Sequence, residues 1–240
     1  MKDNLSFSNP DFFASNKNKD SARHSENIDN LLGLQSLKIE KQLLKANKNQ
    51  MSNTWVGLHP QTLQTPYDEI YAFFMFLKEY NIESFVDLGA GYGRVAIVMN
   101  SFFPETSFIG YEIEESRVLE GRRVFELLKL ENATLIEQNI LDDEFDIPKA
   151  DVYFIYDFSQ SVVDLKKILN KLSNKISTDN FFLIARGKGV RSLIQEKFPE
   201  FWASFGVFHK ENYSIYSSFV DMDKRMRALS SKSSLHFYNT

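Results

Sequence analysis

The sequence predicts an α/β fold: a doubly wound sheet of seven strands, mostly parallel, with an antiparallel hairpin at its carboxyl-terminal end. Three observations carry this reading. Short apolar runs alternate with helical patterns from residue 84 to about residue 198, the order that parallel strands joined by crossover helices require. The run Asp151 to Tyr156 (DVYFIY) is almost wholly apolar, as a strand covered on both faces must be. The last two strand patterns, Trp202 to His209 and Tyr213 to Phe219, are separated only by Lys210-Glu211-Asn212, which is too short for a crossover and suits a hairpin. A chain of 240 residues is long enough to bury one such core and carry extra segments.

Residues 1 to about 27 are rich in Ser, Asn, Asp and Lys and poor in branched apolar residues. Such a stretch buries too little to offset its ordering entropy, so a mobile arm is expected, with Phe7, Phe12 and Phe13 as its apolar bulk. From Ile28 to Leu44, spacings of three and four among Ile28, Leu31, Leu32, Ile39, Leu43 and Leu44 predict one amphipathic helix packed on the domain. Lys45 to Asn53 reads as a polar linker. The domain proper is therefore set at 54–220, between an arm with its helix at 1–53 and a polar, weakly basic tail at 221–240.

Within the domain, Thr65-Pro66-Tyr67-Asp68 has the pattern of a helix start, with Thr as N-cap and Pro at the first position, and the helix runs to Asn81. Its Phe73, Phe74 and Phe76 read as core. Strand patterns follow at Ser84 to Leu88, Thr106 to Ile113, Ala133 to Glu137, Asp151 to Tyr156 and Asn180 to Ala185. The helices between them run from Arg94 to about Phe103, Glu114 to Leu130 and Ser161 to Leu172, and a short one at Val190 to Phe198 precedes the hairpin.

Composition removes several classes of function. With no cysteine there is no disulfide, thiolate metal site or cysteine nucleophile, and the chain suits the cytoplasm. The four histidines are not at ligand spacing, so no metal is expected. There is no apolar run of eighteen residues, and the first residues lack the apolar core of a secretory signal. Residues 1–53 and 221–240 each carry net +2, whereas residues 54–220 carry 16 basic and 24 acidic side chains, net −8. An acidic domain disfavours nucleic acid as a partner, because phosphate binding rests on clustered Lys and Arg.

The chemistry concentrates in FVDLGAGYGR, Phe85 to Arg94, where a strand runs into a glycine turn and then a helix. Alternating Gly89, Gly91 and Gly93 let the backbone take positive φ and approach a ligand closely, and the helix behind them presents free N–H groups. A dinucleotide fingerprint would need its third glycine at position 94, which is Arg94. Asp87 is placed to accept from the amino group of an aminoacyl chain. Glu112, at the end of the next strand, is placed to accept from both ribose hydroxyls. This combination points to S-adenosylmethionine rather than NAD.

In this order, FVDLGAGYGR, FIGYEIEE, LIEQNILDDEF and DVYFIYDF resemble the successive motifs of class I (seven-β-strand) S-adenosylmethionine-dependent methyltransferases, which have a Rossmann-like fold, over roughly Pro66 to Phe219. TPYDEI, the DLGAGYGR core and GYEIEESRVLEGR are similar to the non-SET protein-lysine methyltransferases. The resemblance implies Asp87, Gly89 and Gly91 around the methionine part of the cofactor, Glu112 on the ribose and Ile113 against adenine. Asn139, or Asp142 nearby, would meet the adenine amino group. It also implies Tyr156 and Asp157 where the methyl group emerges, with Tyr67 and Phe158 completing an aromatic channel for a neutral lysine amine. Asp157-Phe158-Ser159-Gln160 departs from the Asn/Asp-Pro-Pro-aromatic motif of enzymes that methylate bases or glutamine. A protein substrate is thus favoured. A small-molecule or RNA methyltransferase, and a non-catalytic cofactor-binding protein of the same fold, remain alternatives. His59 and His209 read as surface or capping residues, and oligomeric state is not legible.

Overall fold

The computed structural model describes residues 7–15, 20–46, 55–203 and 206–217, in two compact units, Met1–Asn139 and Ile140–Thr240. In the first unit, a 3-10 turn at Pro10–Phe13, α1 (Ser21–Leu32), α2 (Ser36–Ala46), α3 (Pro60–Leu63) and α4 (Tyr67–Leu77) precede the first strand. Then come β1 (Ser84–Leu88), α5 (Arg94–Phe102), β2 (Ser107–Glu112), α6 (Glu115–Leu128) and β3 (Ala133–Glu137). The three strands are parallel in the order β3-β2-β1, with Asp87 opposite Gly110 and Gly110 opposite Leu135. A line of rings crosses this unit from α4 to α6: Phe74 lies 5.8 Å from Phe85, Phe85 stacks at 5.7 Å on Phe108, and Phe108 meets Phe125 at 6.5 Å. The phenylalanines of α4 are core, as their pattern predicts.

The second unit holds β4 (Val152–Tyr156), α7 (Val162–Ser173), β5 (Phe182–Arg186), α8 (Lys188–Lys197), α9 (Glu200–Ala203), β6 (Gly206–His209) and β7 (Tyr213–Ser217). Here β4 and β5 are parallel, and β7 pairs antiparallel with both β5 and β6. Val152 to Ile155 and Phe182 to Ala185 are buried throughout, which is what their unbroken apolar runs demand. The seven strands, mostly parallel with a closing antiparallel hairpin, form the Rossmann-like α/β fold the sequence predicts. No described helix is long and apolar enough to cross a membrane.

Four expectations need correction. Where a mobile arm is predicted, residues 10–13 and 21–27 form regular structure, because Phe13 is fully buried against the Tyr67 ring and Tyr71 donates to Asp11 (3.1 Å). Residues 1–6 and 16–19 of that arm lie outside the described residues. The single helix from Ile28 to Leu44 is two, because Gly33 takes a left-handed backbone (φ 63°) that closes α1. Thr65 does not cap α4: its carbonyl accepts from Arg94, and the Tyr67 N–H goes to Ser25 Oγ (3.1 Å), so α4 begins at Tyr67. Finally, residues 200–203 form a helical turn instead of starting a strand, and its Phe201 packs beside Phe198 and Tyr216. The tail at 221–240 lies outside the described residues, as do 47–53 of the predicted linker and 204–205 and 218–219 of the predicted hairpin strands.

Candidate cofactor site

The turn after β1 has all three glycines at positive φ: Gly89 at 91°, Gly91 at 56° and Gly93 at 78°. It folds back over β2, with the N–H groups of Gly89 and Ala90 both donating to the Tyr111 carbonyl (2.9 and 2.8 Å). The glycines then divide by role. A Cβ at Gly93 would sit 2.5 Å from the Phe125 ring, so Gly93 allows α6 to pack close. A Cβ at Gly91 would meet nothing within 4 Å, so at that residue the turn faces open space. The sequence shows three equivalent glycines; only the packing separates them.

Beneath the turn lies Asp87, 1% exposed, whose Oδ1 has no hydrogen-bond partner among the described residues. Burial, and then the charge of Glu112, push its carboxyl well above the usual carboxylate range. A buried carboxyl left without a donor is costly, and an approaching ammonium group relieves that cost. Glu112, also buried, is better supplied. Its Oε1 accepts from the N–H groups of Ile113 (3.1 Å) and Glu114 (3.0 Å), and its Oε2 accepts from Gly91 (2.9 Å). A carboxylate oxygen takes two donors, so Oε2 keeps capacity for a ligand hydroxyl beside the glycine turn. Ile113, 44% exposed, offers an apolar face next to it. Asn139, half-buried, lies two residues beyond β3, its main-chain carbonyl accepting from Gln138 Nε2 (3.0 Å). In the second unit, Asp142 is exposed.

Sequence reasoning missed the ionic frame around this turn. Arg94, the first residue of α5, is buried and bridges to Asp29 of α1, while its guanidinium also donates to Gln61 Oε1 (2.9 Å) and the Thr65 carbonyl (3.3 Å). Arg117, in α6, pairs with Glu40 of α2 through Nε (2.9 Å) and Nη2 (3.1 Å), and Tyr92 donates to the same carboxylate (2.8 Å). The one available signal was an acid beside the apolar positions of each amino-terminal helix: Asp29 next to Ile28, and Glu40 next to Ile39.

Two proposed catalytic residues are placed otherwise. Tyr67 is fully buried, stacked on Phe13, with its hydroxyl on Asp29 (3.2 Å) and the Arg94 guanidinium 4.8 Å from its ring centre. It belongs to the ionic frame and forms no wall of an open channel. In the second unit, both oxygens of Asp157 accept from the first turn of α8, from Gly189 (3.0 Å) and Val190 (2.7 Å). Asp157 therefore caps that helix. Tyr156, half-buried at the end of β4, carries the Arg186 guanidinium 4.3 Å over its ring. His59 caps α3 through Nδ1 (Gln61 N–H, 3.3 Å), as its loop position predicts. His209 lies 2.7 Å from Ser214 Oγ, its pKa lowered by burial and by Arg191. Among the described residues no group of three or more His, Asp or Glu is placed to hold a metal ion.

The donor set fits a nucleoside-bearing amino acid: a buried acid with one oxygen unpartnered among the described residues for an ammonium, an open glycine turn, and a strand-end carboxylate with spare capacity. Comparison with known proteins agrees. Residues 81–224 match the family model described as a methyltransferase domain. No curated protein matches the chain. Among solved structures, precorrin-6y C5,15-methyltransferase from Geobacter metallireducens superposes with TM-score 0.52 at 17% identity, over 70% of this chain and 98% of that one, a likeness of fold. An RNA methyltransferase from Salinibacter ruber, solved with S-adenosyl-L-homocysteine, gives TM-score 0.46 at 17% identity over 64% and 91%. For StiE O-MT (residues 961–1257) the values are 0.41 and 14%, and the match covers 51% of this chain and 44% of that one, less than half of its length.

Proposed function

The chain belongs to the methyltransferase-domain family, and for this methyltransferase, whose methyl donor is S-adenosylmethionine, we propose a donor site at the glycine turn and a protein lysine amine as acceptor. The observation that carries the donor site is the Oδ1 of buried Asp87, without a hydrogen-bond partner among the described residues, on the strand that leads into a turn left open at Gly91. Asp87 accepts from the amino group of the methionine part, Glu112 Oε2 accepts from a ribose hydroxyl, and Ile113 packs on adenine. The Asn139 side-chain carbonyl takes the adenine amino group, a neutral and so weaker partner than an acid. When bound, the sulfonium supplies an already activated methyl group. The chain's own part is then to orient the acceptor and to receive its proton.

Support for a lysine acceptor comes from the resemblance of TPYDEI, DLGAGYGR and GYEIEESRVLEGR, together with the net −8 of residues 54–220, which suits a basic target. With Tyr67 and Asp157 engaged elsewhere, Tyr156 is the residue we assign to the acceptor. A chain without cysteine suits a reducing compartment, and we place the enzyme in the cytoplasm.

Calorimetric titration with S-adenosylmethionine and S-adenosylhomocysteine tests the donor site. Binding is expected in the wild type and lost in Gly91→Arg and Glu112→Ala; unchanged binding in both variants overturns the site. Transfer of labelled methyl into a cell lysate tests the acceptor. Label that resists nuclease and is released by protease as methyl-lysine is expected. Label removed by nuclease, or found in the small-molecule fraction, overturns lysine.

A further inference from the structure

We propose that Glu40, on a helix far outside the matched domain, is a positioning residue for the cofactor ribose, acting by holding Arg117 away from Glu112. The inference rests on the reading of Glu112 as the ribose acceptor. Arg117 stands between two carboxylates. Its Nε and Nη2 engage Glu40 at 2.9 and 3.1 Å, Nη2 also donates to the Trp55 carbonyl (2.7 Å), and Nη1 lies 3.5 Å from Glu112 Oε1. The fork is thus satisfied by Glu40, and only a long contact reaches Glu112. An arginine released from Glu40 in this buried setting has Glu112 as the carboxylate already in contact, with the charge of Glu114 also acting on it, and a close Arg117–Glu112 pair takes up the carboxylate that ribose hydroxyls need.

The same carboxylate holds the other side of the site. Glu40 Oε1 accepts from the hydroxyl of Tyr92 (2.8 Å), the residue between Gly91 and Gly93, and the Tyr92 side chain is almost wholly buried. Gly91 in turn donates to Glu112 Oε2 (2.9 Å). One buried acid from α2 thereby fixes both the glycine turn and the charge beside the ribose acceptor. Asp29 of α1 does not do this, because among the described residues its arginine, Arg94, has no carboxylate other than Asp29 as a hydrogen-bond or ion-pair partner. The distinction makes Glu40 specific and leaves Asp29 a brace.

The test compares affinity for S-adenosylhomocysteine with affinity for its 2′,3′-dideoxy analogue, by calorimetry on the full chain. The wild type should prefer the natural ribose by about tenfold or more, the worth of one or two hydrogen bonds to a charged acceptor. Glu40→Gln should shrink that preference to within about threefold while lowering affinity for the dideoxy analogue much less. The double variant Glu40→Gln/Arg117→Met removes the competing cation and should regain the preference, an effect that loss of packing does not produce. Should Glu40→Gln fail to fold, Glu40→Asp keeps the charge, shortens the reach to Arg117 and should lose part of the preference. A single variant with the full wild-type preference, or a double variant that fails to regain it, overturns the inference. A wild type that binds neither ligand overturns the donor site itself. One that binds both equally removes Glu112 from the ribose and this inference with it.

Discussion

Asp29 and Asp87 are buried aspartates in the same unit, and they differ in their company. Asp29 receives Arg94, the Tyr67 hydroxyl (3.2 Å) and Gln61 Nε2 (2.9 Å). Asp87 has an oxygen that receives nothing among the described residues and a neighbouring acid that makes its ionisation harder. A satisfied buried ion holds a fold in one arrangement. An unsatisfied one costs stability and is kept where a ligand repays it. The difference sorts the polar residues of this unit into frame and site, a division that exposure alone does not make, since both are buried.

The frame should yield the largest loss of stability. Asp29→Ala leaves the Arg94 guanidinium buried beside a hole, and urea denaturation should show a loss of about 3–5 kcal/mol. A loss below 1 kcal/mol in that assay would place Asp29 outside the frame.

Asp87→Asn should behave in the opposite way. Affinity for S-adenosylhomocysteine should fall by about ten- to a hundredfold, the value of a charge-assisted bond to the cofactor amine, with no loss of stability in the unliganded protein. The pH dependence follows from the raised carboxyl. Its folded pKa lies above its unfolded value, so the folded state holds the proton more tightly. The stability it contributes is complete below the unfolded carboxylate range and is lost as pH rises through the folded pKa. Ligand affinity should rise across that same interval, because the cofactor ammonium prefers the ionised acid. Denaturation midpoints and calorimetry at several pH values should show both slopes in the wild type and neither in Asp87→Asn.

The fold was legible because its signals are local and redundant. Apolar runs mark every strand, β1 and β3 at the residues expected, and acids with glycines mark the turn. The frame was not legible, because Asp29 and Glu40 carry no local signal of their partners: Arg94 is 65 residues from Asp29, and Arg117 is 77 from Glu40. Tyr67 shows the same limit. A tyrosine in a first helical turn reads alike whether it faces solvent or a buried aspartate. Gly33 was open to reading, since a glycine between two apolar clusters ends a helix as readily as it interrupts one.

The glycines sharpen the comparison at smaller amplitude. Gly91→Ala forces an alanine to φ 56° with room for its Cβ, so stability should fall by about 1–2 kcal/mol. Cofactor affinity should fall as well, since the methyl group enters the space the turn leaves open. At Gly93 the Cβ meets Phe125, so Gly93→Ala should lose more stability than Gly91→Ala. Equal losses in thermal melts of the two variants would erase the division of roles.

Asp157 gives the smallest effect and the clearest contrast with Asp87. Both are aspartates at the carboxyl ends of parallel strands, where ligands of open α/β sheets collect, and position alone assigns both to a site. Asp157, however, spends both oxygens on the N–H groups of Gly189 and Val190; a Cβ at Gly187 would collide with it, and one at Gly189 would press on it at 3.0 Å. Its work is that of a helix cap donated by a distant strand end. Asp157→Ala should therefore cost about 1 kcal/mol of stability in urea denaturation, with S-adenosylhomocysteine affinity unchanged. Methyl transfer, corrected for the fraction folded, should also persist. Activity abolished in a variant that remains folded would return Asp157 to the chemistry and show that a carboxylate holding two backbone N–H groups still has a lone pair to give the acceptor.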